Sequence, residues 1–328
     1  MIFTTKIAIG ENHMKTQSDI SRVSIIGIGD EAGRIINKMQ VSDLPETELC
    51  AFGMNRGEIS ELPLFRECLI DNDDSGEGQN MSLAGSEGRK SLPQIKKVLT
   101  NKIMSVFVVC LGDRTGEGCI KTFLQKSIDT KLEVKILVVT LPHSESVEKR
   151  KDAMKLLKEL EPMADGIFKI DYGNLSYNTI SDLCEEVDRK IIKVINTLVD
   201  LAAHSRQFIV GLDFRDIKEF FLSEYSDNRY IDFFTSEVNR DFLDNAVKDK
   251  DIRKIFPPNF LSLKKDVSKA LLSIKHHQST DNIGLKTMHL IADYVSTKFP
   301  SMDMTSEVRE NITMPQNILQ IDLFVKYS

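Results

Sequence analysis

No apolar run in this chain of 328 residues reaches the roughly 18 residues that a bilayer-spanning helix needs. The N-terminal segment MIFTTKIAIGENHMK has only a short apolar patch and no small-residue cleavage site, so no secretory leader is expected. Cysteine is sparse: there are five, odd in number, scattered and mostly inside apolar segments. That is the usage of a reduced, cytoplasmic protein, not of a disulfide framework. Neither the cysteines nor the six histidines show metal-ligand spacing, which argues against a zinc motif. A basic excess is missing too. Lys and Arg number 43 against 49 Asp and Glu, a net charge of -6, so a dedicated nucleic-acid binder is not expected.

What is present is ordinary globular material, 41% hydrophobic and 28% charged. At roughly 100–200 residues per domain, two domains are expected. After a polar lead-in over 1–20, short apolar runs alternate with helical patterns. Val23–Ile28, Leu49–Met54, Ser105–Cys110, Val134–Thr140 and Gly166–Ile170 read as strands. Ala32–Gln40, Lys90–Asn101, Cys119–Ser127 and Ser146–Leu160 read as helices, and 71–88 reads as an exposed loop. Nearly continuous apolar strands separated by helices predict a parallel sheet covered on both faces, a Rossmann-like α/β domain over 21–180. Ser181–His204 carries apolar residues at helix spacing and predicts a long central helix. Residues 205–328 predict a smaller α+β domain. Its elements are a helical stretch Ile231–Lys248, a strand Ala270–Lys275, a helix Gly284–Lys298 and a last strand Leu319–Val325.

Two glycine turns fall where ligands of parallel sheets bind, at the carboxyl ends of strands. The first is Gly27-Ile28-Gly29-Asp30-Glu31-Ala32-Gly33. Its glycines let backbone N–H groups approach a phosphate, but Asp30 and Glu31 place negative charge there. The second is Gly112-Asp113-Arg114-Thr115-Gly116-Glu117-Gly118, with Thr115 as the expected helix cap and phosphate contact and Arg114 as a cation. A third loop, Leu83–Arg89 with Gly85, is placed to close over them. The plain alternative for each is a tight strand-to-helix turn without a ligand.

The order of these motifs resembles the FtsZ/tubulin-like GTPases, from residue 21 almost to the end. Gly27, Gly29 and Gly33 sit at the first phosphate loop of that family, and Ala51–Asn55 at its A-V-N strand end. Gly88-Arg89-Lys90 sits at its G-R-K, and Thr115, Gly116 and Gly118 sit in its G-G-G-T-G-T-G signature. Val139–Pro142 resembles V-T-R-P, Arg150 falls at the arginine flanking the nucleotide, and Asp188 at the aspartate that reads guanine. Leu212–Ile217, with Asp213 and Asp216, resembles N-L-D-F-A-D-V, the catalytic loop that enters the next subunit's site. The plain reading of Asp213 or Asp216 is a cap on a helix Ile217–Phe221. The departures are Asp30-Glu31 and Asp113, Arg114 and Glu117 for small residues, Tyr172 for the asparagine that holds guanine, and Cys184 for its stacking phenylalanine. Ser146 or Glu145 stands for the ribose glutamate, Arg56-Gly57 follows Asn55, and Gly211 replaces an asparagine. No linker or partner-binding tail peptide is expected after the last strand.

The resemblance implies a cytoplasmic, cytoskeletal GTP- or GDP-binding protein, with Mg²⁺ accompanying the nucleotide. It implies self-association head to tail, or joining a filament of an FtsZ-type protein, and the acidic departures and Gly211 imply weak or absent GTP hydrolysis. The alternative is an FtsZ-like scaffold or regulator of cell division that binds no nucleotide. A Rossmann NAD(P) enzyme is disfavoured, because the ribose-binding acid expected after the first turn is replaced by Asn55.

Overall fold

A computed structural model describes residues 22–39, 44, 46–53, 65–68, 88–130, 132–142, 147–175, 178–204, 212–222, 228–249, 251–277, 285–310 and 314–328. The chain divides into two compact units, Met1–Ala203 and His204–Ser328.

The first unit is built on a six-stranded sheet of β1 (Val23–Ile28), β2 (Thr47–Gly53), β3 (Phe65–Cys68), β4 (Met104–Cys110), β5 (Val134–Leu141) and β6 (Gly166–Asp171). Their order is β3-β2-β1-β4-β5-β6, and every pairing is parallel. Every residue of β1 and β4 is buried, the signature of strands covered on both faces. The polar exceptions satisfy each other: Ser24 and Ser105, opposite in register, share a 2.6 Å hydrogen bond. Strand β1 has β2 on one side and β4 on the other, so the order reverses there and a crevice opens at the carboxyl ends of β1 and β4.

Helices α1 (Asp30–Asn37), α2 (Leu92–Leu99), α3 (Arg114–Ile128), α4 (Val147–Leu160) and α5 (Ile180–His204) complete this unit. Helix α5 runs 25 residues and buries Leu183, Val187, Ile191, Ile195, Leu198 and Leu201, the predicted apolar stripe. Three of these helices differ from expectation by two residues or more, α2 spanning 92–99 where the pattern places 90–101. The pattern places α1 over 32–40 and the structure over 30–37. More consequentially, α3 begins at Arg114 and not at Cys119, so Gly116 and Gly118 lie inside a helix and not in a turn. The short edge strand β3, Phe-Arg-Glu-Cys, has no apolar run to announce it. The predicted loop 71–88 lies outside the described residues except at its last residue, Gly88.

The second unit holds α6 (Phe214–Phe221), β7 (Ile231–Asn239), α7 (Arg240–Lys248), α8 (Pro258–Leu261), β8 (Val267–His276), α9 (Leu285–Lys298), β9 (Asp303–Glu310) and β10 (Ile318–Tyr327). Its sheet runs β7-β10-β8-β9, antiparallel except for the β8–β9 pair. The helix expected over 231–248 is a strand followed by a helix. Ile231, Phe234 and Val238 are the buried residues of β7, and their spacing of three and four imitates a helix face. Nine paired positions along β10 override that local signal, and the Asn239 side chain, accepting from the Asp241 N–H at 2.9 Å, starts α7. One face of the sheet packs an apolar core around Phe234, Phe256, Phe260, Leu272, Leu323 and Val325. The alternate positions of β8, β9 and β10 carry buried charge. Asp322, fully buried, accepts from Thr235 Oγ1 at 2.7 Å and pairs with Lys275 at 3.2 Å. Lys326 donates to the Phe221 carbonyl at 2.6 Å, holding the C-terminal end of α6.

Candidate functional site

The site is built at the carboxyl ends of β1, β4, β5 and β6. Strand β1 ends in Gly29, whose φ of 96° only glycine adopts without strain, and its N–H donates to the Phe52 carbonyl at 2.8 Å. Strand β4 leads through Gly112, φ 104°, into Asp113, the residue that caps α3. The predicted cap, Thr115, is not the cap. It lies buried in the first turn, and its N–H donates to Asp113 Oδ1 at 2.9 Å. Gly116 explains how α3 comes so close: a Cβ there would stand 2.8 Å from the Ile28 carbonyl oxygen at the end of β1. The two glycine turns therefore face each other across the crevice.

Carboxylates fill the space between them. A Cβ on Gly29 would lie 2.1 Å from Asp113 Oδ2, so that oxygen rests on the bare face of the glycine. The same Oδ2 is buried and has no hydrogen-bond partner. Burial first, then Asp30 and Glu31, push the Asp113 carboxyl up to about 6, against the pull of the Thr115 and Gly116 amides. Glu117, also buried, reaches back so that Gly112 N–H donates to its Oε1 at 2.8 Å. Burial raises its carboxyl as well, with Asp152 adding to the effect. From the β6 side, the Tyr172 hydroxyl donates to Glu31 Oε1 at 2.9 Å, and burial pushes the Tyr172 phenol far up.

The cations around this crevice are mostly taken up by other acids. Arg150 donates to Asp171 Oδ1 at 2.8 Å, to Asp171 Oδ2 through its other nitrogen, and to the Pro142 carbonyl at 3.0 Å. This fork holds the Asp171 carboxyl below the ordinary carboxylate range. Asp188, only 4% exposed, is gripped from α1 by Arg34, at 3.0 and 3.4 Å to its two oxygens, and by Lys38. Arg114 is exposed on the first turn of α3 and has partners of its own.

Of the expected phosphate-loop residues, Gly29, Thr115 and Gly116 converge on the crevice. Gly27 and Gly33 serve strand–helix contact: a Cβ on Gly27 would meet Ile36 at 2.6 Å, and one on Gly33 would meet Ala51 at 3.4 Å. Gly118 lies further along α3. Gly88 packs on Cys119, where a Cβ would stand 2.9 Å from the thiol. Gly85, Asn55, Ser146 and Gly211 lie outside the described residues. In the second unit, Asp213 and Asp216 form a reciprocal capping box on α6, which starts at Phe214 and not at Ile217. Asp213 Oδ1 accepts from the N–H groups of Arg215 at 2.7 Å and Asp216 at 3.1 Å, and Asp216 Oδ2 accepts from Asp213 N–H at 2.8 Å. That leaves one oxygen of each carboxylate outside the box. The contacts made by Lys38, Asp171 and Glu31 were not legible in the sequence, since each joins segments far apart in the chain.

No protein-family model and no curated protein sequence matches the chain. Solved structures do. A mutant FtsZ from M. jannaschii superposes with a TM-score of 0.73 at 16% identity, covering 94% of this chain and 92% of its own. An empty FtsZ dimer from M. jannaschii gives 0.72 at 16% identity over 94% and 89%. CetZ2 from Haloferax volcanii, in a GTPgS-bound protofilament, gives 0.71 at 14% identity over 93% and 92%. The chain has the two-domain α/β fold of FtsZ and tubulin. Among the described residues, no helix is long and apolar enough to cross a membrane.

Proposed function

We propose that this chain is a cytoskeletal subunit of the FtsZ type, which self-associates head to tail or joins a filament, binds guanine nucleotide weakly and hydrolyses GTP poorly on its own. The observation that carries the reading is the extent of the likeness, which spans both units and nearly the whole length of structures that include a dimer and a protofilament.

The crevice does not fit a triphosphate as it stands. The N–H groups of Gly112 and Thr115, which an oxyanion would use, already donate to Glu117 and Asp113. Asp30 and Glu31 stand on the facing turn. At ~4 Å and an effective dielectric of ~20, each like-charge contact costs about 4 kcal/mol before screening. Among the described residues no grouping of three or more acidic, His or Cys side chains is arranged to hold a metal ion. Asp188 is the residue that would accept the paired N–H donors of a guanine, in exchange for Arg34 and Lys38. Asp213 and Asp216 keep an oxygen each outside the capping box, and as carboxylates they are suited to orient water in a site completed by a neighbouring subunit.

The self-engaged amides also favour a second reading, a scaffold or regulator of cell division that needs no nucleotide. Titration of the purified chain with GTP, GDP, ATP and NADH, together with sedimentation and electron microscopy, separates the two. Weak, guanine-selective binding with polymers supports the first. Polymers without any nucleotide binding support the second, and tight NADH binding, or the absence of assembly both alone and mixed with an FtsZ-type subunit, contradicts both.

A further inference from the structure

The misfit at the crevice follows from how the chain is built. Four features converge on it from α3, the end of β1 and the end of β6. Asp113 Oδ1 takes the Thr115 N–H at the start of α3. Its Oδ2, without a partner, rests on the bare face of Gly29 at the end of β1. Glu117, one turn into α3, bends back to the Gly112 N–H of the same loop. Tyr172, from the end of β6, ties down Glu31 of α1 through its hydroxyl. A carboxylate offers the same planar, anionic acceptor pair that a phosphate oxygen edge offers to a glycine turn.

We propose that Asp113 and Glu117 are resident anions of this cradle: they occupy the amides and the space that a phosphate group would take, and they close it to nucleoside phosphates until they are neutralised or withdrawn. The inference rests on reading this edge of the sheet as the nucleotide site, and it adds the reason for weak binding. A cap on α3 alone would not require Oδ2 to be packed against the opposite turn, nor a second carboxylate bonded to Gly112. The proton affinity of Asp113, raised by burial and by Asp30 and Glu31, is what a carboxylate held in an anion's place among other acids would show.

The test is calorimetric titration of the full chain with inorganic pyrophosphate and with GTP, at pH 7.5. It compares the native protein, Asp113→Ala/Glu117→Ala, and the shape-preserving Asp113→Asn/Glu117→Gln, with folding of each verified by circular dichroism. Pyrophosphate isolates the phosphate cradle from any contact to base or ribose. Native binding is expected to be weak, and a folded variant is expected to bind pyrophosphate roughly tenfold tighter or more, because like charge has left a partly buried site. If the alanine pair fails to fold, the asparagine–glutamine pair decides. A gain in either folded variant supports the closure, and no gain in any folded variant overturns it. Tight GTP binding by the native chain overturns both this inference and the weak-binding reading. Weak native binding without any gain overturns this inference alone.

Discussion

Asp113 Oδ2 lies 2.1 Å from where a Cβ on Gly29 would stand, so the first turn of the sheet edge and the cap of α3 fit together only because residue 29 has no side chain. Gly29→Ala meets two costs, the clash and a φ of 96°. It is expected to destabilise the chain by about 2 kcal/mol or more. Asp113→Ala removes the closest contacts but leaves the Gly116 nitrogen at 3.1 Å and the strain. Urea denaturation of both single variants and the double variant should therefore show a double variant less destabilised than the sum of the singles, by about 1 kcal/mol. Strict additivity would show that the contact is absent.

The Asp113 carboxyl gives the chain a specific pH response. Its proton affinity in the fold lies at about 6 against an ordinary 3.8, so the folded state binds this proton more tightly than the unfolded state does. The favourable contribution is fully present below about pH 4 and is lost as pH rises through about 6, a change of about 3 kcal/mol. Asp113→Asn keeps an N-cap acceptor and cannot titrate. The stability of the variant relative to the native chain should rise by up to that amount between pH 4 and pH 7.5. A flat difference across that range would contradict the environment described for Asp113, in which Asp30 and Glu31 on α1 and the Cys110 and Cys119 thiols are charged or titratable neighbours.

Asp188 holds two cations whose side chains are 44% and 45% exposed. Its loss lets Arg34 and Lys38 turn to water, so Asp188→Ala is expected to cost about 1–2 kcal/mol, less than a sealed pair would. If Asp188 is also the guanine reader, the same substitution removes the preference for GTP over ATP. Competition titrations measure this, and an unchanged preference would withdraw the assignment.

The capping box on α6 allows its structural and chemical roles to be separated. Asp213→Ala is expected to cost about 1 kcal/mol, and Asp213→Asn only a few tenths. If Asp213 is needed for charge, then phosphate release by mixtures with an FtsZ-type subunit should fall in Asp213→Asn even though stability is preserved. Equal release would leave Asp213 as a cap only.

The parallel sheet was legible because strands buried on both faces, such as Val23–Ile28 and Met104–Cys110, write themselves as apolar runs. Where one face carries polar groups the signal fails. Strand β9 reads Asp-Met-Thr-Ser-Glu-Val-Arg-Glu and is a strand because it pairs with β8. Strand β7 imitates a helix for want of a clean alternation. The pattern starts helix α3 too late because two glycines in its first turns look like a loop, whereas Gly116 is there for contact with β1. At the site, spacing and resemblance pointed to the glycine turns, Arg150 and Asp188. They could not supply the partners, because Tyr172 and Glu31 are 141 residues apart and Arg34 and Asp188 are 154 apart.

The most direct measurement is phosphate release by the pure chain under conditions where sedimentation and electron microscopy report its assembly. The account predicts polymers with release of phosphate near background in the presence of GTP. Brisk turnover by the isolated chain, or no polymer at any concentration either alone or mixed with an FtsZ-type subunit, would contradict it.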